Sequence, residues 1–190
     1  NAQKRVQDTL VEEPYKVQKI RTLSIYVENP EQDFSIYTDS INFNGIKIFS
    51  VGPLKYKPNV LIKGVQITPE QPYSYQDRTT TYRYFNELQN FKYPTITYEA
   101  VKNAPSFLDA NVYLSPRERF SLGFDFDVSH SNIQDIGITL GSSVISRNIF
   151  RGAEILEFGI KSTVGSSRDV AEQKSTFFNL FEVGGNLLLR

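Results

Sequence analysis

Residues 120–129 alternate without a break. Phe120, Leu122, Phe124, Phe126 and Val128 fall on one side of an extended chain, and Ser121, Gly123, Asp125, Asp127 and Ser129 on the other. A period of two is the signature of a strand with two unlike faces. The pattern returns over 135–144, with Ile136, Ile138, Leu140 and Val144 against Asp135, Gly137, Thr139, Gly141 and Ser143. A third strand is expected over 154–160, with Leu156, Phe158 and Ile160 in phase. A fourth is expected over 177–189, carrying Phe177, Phe181, Val183, Leu187 and Leu189. Two architectures accept such strands. A sandwich turns the apolar faces inward between two sheets; a membrane barrel turns them outward to lipid and encloses the polar face. Alternation alone does not choose between them.

Upstream, the periods are mixed. Residues 1–14 are polar, compatible with a helix, and offer little to anchor them. Residues 15–27 end in alternation through Leu23, Ile25 and Val27, and 29–33 form a turn cluster. Residues 41–49 are two alternating runs joined by Asn44-Gly45, the dipeptide that suits a type I′ hairpin turn. Pro58 opens a short helix over 58–62, and 65–68 is extended. Residues 74–90 place Tyr82, Phe85 and Leu88 at helical spacing, with Thr and Asp near the start as capping candidates. Extended stretches follow at 92–101 and 108–114. Strand, two helices and two strands make a compact α+β unit.

Composition removes several alternatives. Lys plus Arg and Asp plus Glu balance at 21 each, so no basic field points to nucleic acid. With no cysteine, disulfides and thiol metal sites are excluded. No apolar run is long enough for a spanning helix, which leaves a barrel open. The chain starts at Asn1 without Met and stops at Arg190 inside an apolar stretch, so it reads as a fragment, with any remaining barrel strands beyond Arg190.

Two stretches carry a resemblance. Arg147-Asn148-Ile149-Phe150-Arg151-Gly152-Ala153-Glu154, preceded by Ser146, is similar to the turn between the second and third barrel strands of the outer-membrane insertase superfamily that includes BamA and TamA. Its match is best to the branch of TamL-like lipoproteins, from which it departs only in Ile149 for Leu. Pro72-Tyr73-Ser74, Thr79-Thr80-Thr81, Phe85, Leu88 and Phe91 resemble the second half of a POTRA repeat (polypeptide-transport-associated module). The resemblance implies an α+β POTRA-like module over 15–115, with a hairpin insert near 36–50. After it come antiparallel β strands of an incomplete transmembrane β-barrel over 116–190; residues 1–14 remain unassigned.

That resemblance implies outer-membrane protein insertion or polypeptide translocation, with the module in the periplasm of a Gram-negative cell and the 147–154 turn on the same side. The implied partners are unfolded outer-membrane clients and outer-membrane lipids. A bridging inner-membrane protein or accessory lipoproteins are further candidates, and no cofactor is expected. Two strands would template clients: the module edge strand of Lys92, Tyr93, Thr95, Ile96, Thr97, Tyr98, Glu99, Ala100 and Val101, and the barrel seam strand Phe120–Ser129. Physically, the task is to bring a strand into a bilayer without exposing unpaired backbone groups to hydrocarbon.

Sharper chemical readings fare poorly. Asp125 and Asp127 share a face and could suggest paired acids, yet alternation already accounts for them as polar, lumen-facing residues. His130 lacks partners at metal-ligand spacing, and no glycine pattern cradles phosphate. Asp77, Arg78, Arg83 and Glu87 fit the wet face of a helix, with spacing for i,i+4 pairs. An enzyme is therefore not expected. The rival is a secreted or surface β-rich binding module, an adhesin or glycan-binding domain.

Overall fold

A computed structural model describes residues 2–6, 9–13, 17–28, 37–130, 134–167, 178 and 180–190, with only the backbone for 2–6, 9–13, 134–135 and 167. The chain divides into two compact units, residues 1–116 and 117–190. The expected turn cluster at 29–33 lies outside the described residues, as do Tyr15, Ile36 and Phe177.

The first unit opens with a correction. Residues 1–14 were compatible with a helix, but β1 (Ala2–Val6) and β2 (Thr9–Glu13) instead pair antiparallel, from Ala2 against Glu13 to Val6 against Thr9. The local ladder between the two segments satisfies their backbone groups in place of helical bonds.

Five strands form the main sheet of this unit: β3 (Lys19–Val27), β4 (Asp39–Phe43), β5 (Ile46–Ser50), β6 (Phe91–Val101) and β7 (Ala104–Pro116). Their order is β4-β5-β3-β7-β6, with β3 parallel to both neighbours and the two outer pairs antiparallel. Asn44 (φ 51°) and Gly45 (φ 79°) both take positive φ, the geometry that a two-residue I′ turn needs. Between β5 and β6 lie α1 (Pro58–Ile62) and α2 (Tyr75–Glu87). The stretch at 65–68, read as extended, belongs to no strand.

The core lies between helices and sheet. Leu23, Ile25 and Val27 of β3 are buried with Ile48, Leu61, Phe85, Ala110, Val112 and Leu114. On α2 the buried positions are Thr81 and Phe85, while Tyr82 faces outward, so the apolar stripe is narrower than the spacing suggested. Ser74, rather than Thr or Asp, caps the helix by accepting from the Asp77 N–H at 3.2 Å. The expected i,i+4 pairing occurs between Arg83 and Glu87 at 3.9 Å. A bulge at Arg21 turns Arg21 and Thr22 together onto Asp109, which accepts from Arg21 Nε at 2.8 Å and Thr22 Oγ1 at 2.7 Å. The Arg21 hydrogen bonds hold the Asp109 carboxyl below the usual carboxylate range. Burial pushes the Tyr56 and Tyr98 hydroxyls up to about 12.

The second unit is one antiparallel sheet of β8 (Phe120–Ser129), β9 (Gln134–Arg147), β10 (Ile155–Ser167) and β11 (Leu180–Leu189), in the order β11-β10-β9-β8. β9 and β10 run beyond the stretches where alternation is visible. Their added residues, among them Ile145 and Arg147 on β9 and Lys161 to Ser167 on β10, stand on paired ladders, and cross-strand bonding extends the strands past the alternating stretches.

Candidate functional site

Register turns four separate alternations into one surface. Across β8, β9, β10 and β11 the rows read Leu122–Val144–Phe158–Leu187, Phe126–Leu140–Ser162–Val183 and Val128–Ile138–Val164–Phe181. Every expected apolar residue among the described ones lies on this one face. Among the described residues no other element covers it: Phe124 is 80% exposed, Phe181 71% and Leu122 70%. Soluble monomers rarely expose so continuous an apolar patch. A sandwich would need a second sheet over it, and the described residues of the unit form only one.

The opposite face is built from small and polar residues. Its rows are Gly123–Ser143–Gly159–Asn186, Asp125–Gly141–Lys161–Gly184 and Asp127–Thr139–Thr163–Glu182. Glycine stands beside a longer neighbour: a β-carbon on Gly141 would meet the Asp125 side chain at 3.2 Å, and one on Gly123 would meet Ser143 Oγ at 2.6 Å. The hydroxyls of Thr139 and Thr163 bond at 2.9 Å across the ladder. Ile145, Leu180 and Leu188 also sit on this face, so it is less uniformly polar than alternation suggested. Asp125 and Asp127 are exposed here, and His130 is exposed just after β8. Among the described residues no group of three metal-capable side chains gathers.

Both outer strands, β8 and β11, pair on one side only among the described residues. β8 contains all ten residues of the expected seam, from Phe120, Ser121, Leu122 and Gly123 to Val128 and Ser129. The expected module strand at Lys92–Val101 is β6, an outer strand of the five-stranded sheet.

The turn of residues 147–154 is held by its own side chains. Asn148 N–H donates to the Glu154 carbonyl at 2.7 Å, and Asn148 Oδ1 accepts from the Ala153 N–H at 3.1 Å. Glu154 Oε2 accepts from the N–H groups of Phe150 at 3.2 Å and Gly152 at 3.1 Å. Asn148, Arg151 and Ala153 take positive φ, which these bonds stabilise. Arg147 reaches sideways, donating from Nη1 to the Glu118 carbonyl at 3.0 Å and to Ser121 Oγ at 2.8 Å. Arg147 therefore fastens the entrance of β8 to the end of β9. The sequence marked the charges of this turn but not that link, which arises only once the register sets Ser121 opposite Ile145 and so diagonal to Arg147. Ile149 lies within the turn, and Phe150 at its exposed tip.

Comparison with solved structures gives weak likenesses. One is "CdiB from Acinetobacter baumannii", with TM-score 0.45 and 10% identity, covering 82% of this chain and 40% of that one. Another is BamA from Haemophilus ducreyi lacking POTRA domains 1–3, with TM-score 0.33 and 11% identity, covering 80% of this chain and 43% of that one. The chain thus spans about two fifths of the length of each. No protein-family profile and no curated protein matches it.

Proposed function

We propose that residues 116–190 are the first strands of an outer-membrane β-barrel and residues 15–115 a periplasmic POTRA-like module. The protein they belong to inserts or translocates polypeptides. One observation carries the reading: a single four-stranded sheet with a continuous, uncovered apolar face and a glycine-rich polar face. Hydrocarbon is the solvent in which that face is stable, and enclosure around water is the setting for the other. Among the described residues no helix is long and apolar enough to cross a membrane.

Two further features support the placement. In the first unit, β3, α1, α2, β6 and β7 follow the strand-helix-helix-strand-strand order of a POTRA repeat, with β4 and β5 as an inserted hairpin. The self-bonded turn at 147–154 carries the residues that resemble the TamL-like branch.

The mechanism is backbone chemistry without a covalent step. In hydrocarbon each unpaired N–H or C=O costs several kcal/mol, so a client strand needs a template at all times. β8 offers one: no described strand pairs with its outer side, and Gly123, Ser121 and Ser129 add little packing to oppose opening. Clients are unfolded outer-membrane chains, and outer-membrane lipid is the surrounding medium.

The test is reconstitution. The full-length protein in proteoliposomes should accelerate insertion of an unfolded barrel client, read as heat-modifiable gel mobility. Single cysteines in 120–129 should cross-link to that client. Recovery of this chain as a soluble monomer without detergent, or active protein that yields no client adduct, would sink the proposal.

A further inference from the structure

The five-stranded sheet has two outer strands, and they differ in ways that bear on which can accept another strand. β6 is irregular at both ends. Tyr93 and Pro94 together stand opposite the single residue Leu114, Tyr93 has φ of 46°, and the register slips again between Ala100 and Val101. Proline has no N–H to offer, and bulges twist an edge away from strand addition. α2 also packs against β6. The apolar row across the sheet, Ile41–Ile48–Ile25–Val112–Ile96, is closed at this end, where Ile96 is 6% exposed.

At the other end the same row is open. Ile41 of β4 is 37% exposed beside Ile48 at 1%. β4 contains no proline, and its register with β5 steps one for one from Asp39 against Ser50 to Phe43 against Ile46. In a hairpin closed by a two-residue I′ turn, Phe43 and Ile46 form a hydrogen-bonded pair, and so do Ile41 and Ile48. Ser40 and Asn42 then direct their N–H and C=O groups away from β5. Both residues are exposed, and no described strand pairs with that side.

We infer that β4, not β6, is the strand-accepting edge of this module, and that its occupant is an extended, uncharged peptide alternating apolar with small polar residues. An apolar side chain set opposite Ile41 adds a sixth position to the row, while the backbone bonds to Ser40 and Asn42. An alternating strand is also the form of client the proposed function requires, and the inference rests on that reading for its biological occupant. An apolar residue opposite Ile41 withdraws from water the part of Ile41 that the edge leaves exposed, which favours it over a polar one.

The chain has no native cysteine, so single sites can be labelled cleanly. Benzophenone-labelled Cys at positions 40, 42, 95 and 99 of the full chain in lipid nanodiscs would be irradiated with a biotinylated ten-residue peptide alternating Val and Ser. Adducts at 40 and 42 should exceed those at 95 and 99 at least tenfold. Asn42→Pro, which removes one outward N–H, should weaken the adduct read from the label at position 40 about three- to tenfold. Ile41→Ser, which leaves the ladder intact, should lower the adducts at 40 and 42 as well, and thermal unfolding should report both variants folded. Equal or stronger labelling at 95 and 99 overturns the inference. So does absence of any adduct from a preparation that inserts a barrel client, an outcome that leaves the proposed function standing. Labelling at β4 by a preparation that inserts no client upholds the edge and counts against the function instead.

Discussion

Glu154 folds its carboxylate over Gly152, accepting its N–H at 3.1 Å, so that the side chain stands where a β-carbon of residue 152 would be. The turn that leads from β9 to β10 therefore depends on a pair two residues apart. Gly152→Ala should cost about 1–3 kcal/mol by forcing the carboxylate out. Glu154→Gln, which keeps an acceptor but loses the charge, should cost about 1 kcal/mol. Urea unfolding of the detergent-solubilised protein measures both, and a wild-type midpoint for Gly152→Ala would refute the account.

Charge on the uncovered face gives a second prediction. Phe126→Arg should disfavour membrane integration by about 2–4 kcal/mol, the cost of arginine on a lipid-facing strand near the bilayer midplane. Asp127→Asn, one residue along on the polar face, should leave integration unchanged. The fraction of chain that resists carbonate extraction from membranes separates the two. Equal behaviour of the variants would contradict the facing assigned to β8.

A third prediction concerns the helices that cover the first unit's sheet. The Tyr84 ring lies on Gly64, and its hydroxyl donates to the Val60 carbonyl at 2.6 Å. Gly64→Ala has no room under the ring and should lower stability by about 1–3 kcal/mol. Tyr84→Phe, which loses only the hydrogen bond, should cost about 1 kcal/mol. Thermal melts by circular dichroism should rank the variants in that order.

The Arg21–Asp109 pair sets a pH dependence. Because Arg21 and Thr22 lower the carboxyl's pKa in the folded state, the pair's stabilisation is fully present above the unfolded carboxylate pKa of about 3.9. It is lost as pH falls through the lower folded value. Asp109→Asn should therefore depress the melting temperature at pH 7 and converge on wild type in strong acid. A constant difference across the range would show that the pair contributes through packing alone.

Much of this architecture was legible from residue order. Phe120–Ser129 is a strand with the boundaries its alternation gave, and Asn44-Gly45 closes the hairpin its dipeptide implied, because both signals depend only on neighbours in the chain. Ser74 as helix cap was missed, since Ser, Thr and Asp near one helix start are equivalent until the backbone shows which precedes the first turn. The strand pair in 1–14 was missed because neither Ala2–Val6 nor Thr9–Glu13 alternates, while Ala2, Val6 and Leu10 stand at helical spacing.

What the sequence determined by itself was periodicity: which segments are extended, which helical, and that each late strand has one apolar and one polar side. Only the tertiary structure decided that those sides line up across four strands into one uncovered surface, because register is a relation between segments that no single segment encodes. It also decided that the row from Ile96 to Ile41 closes at β6 and opens at β4. Composition cannot show this, because burial at an edge depends on what packs beside it.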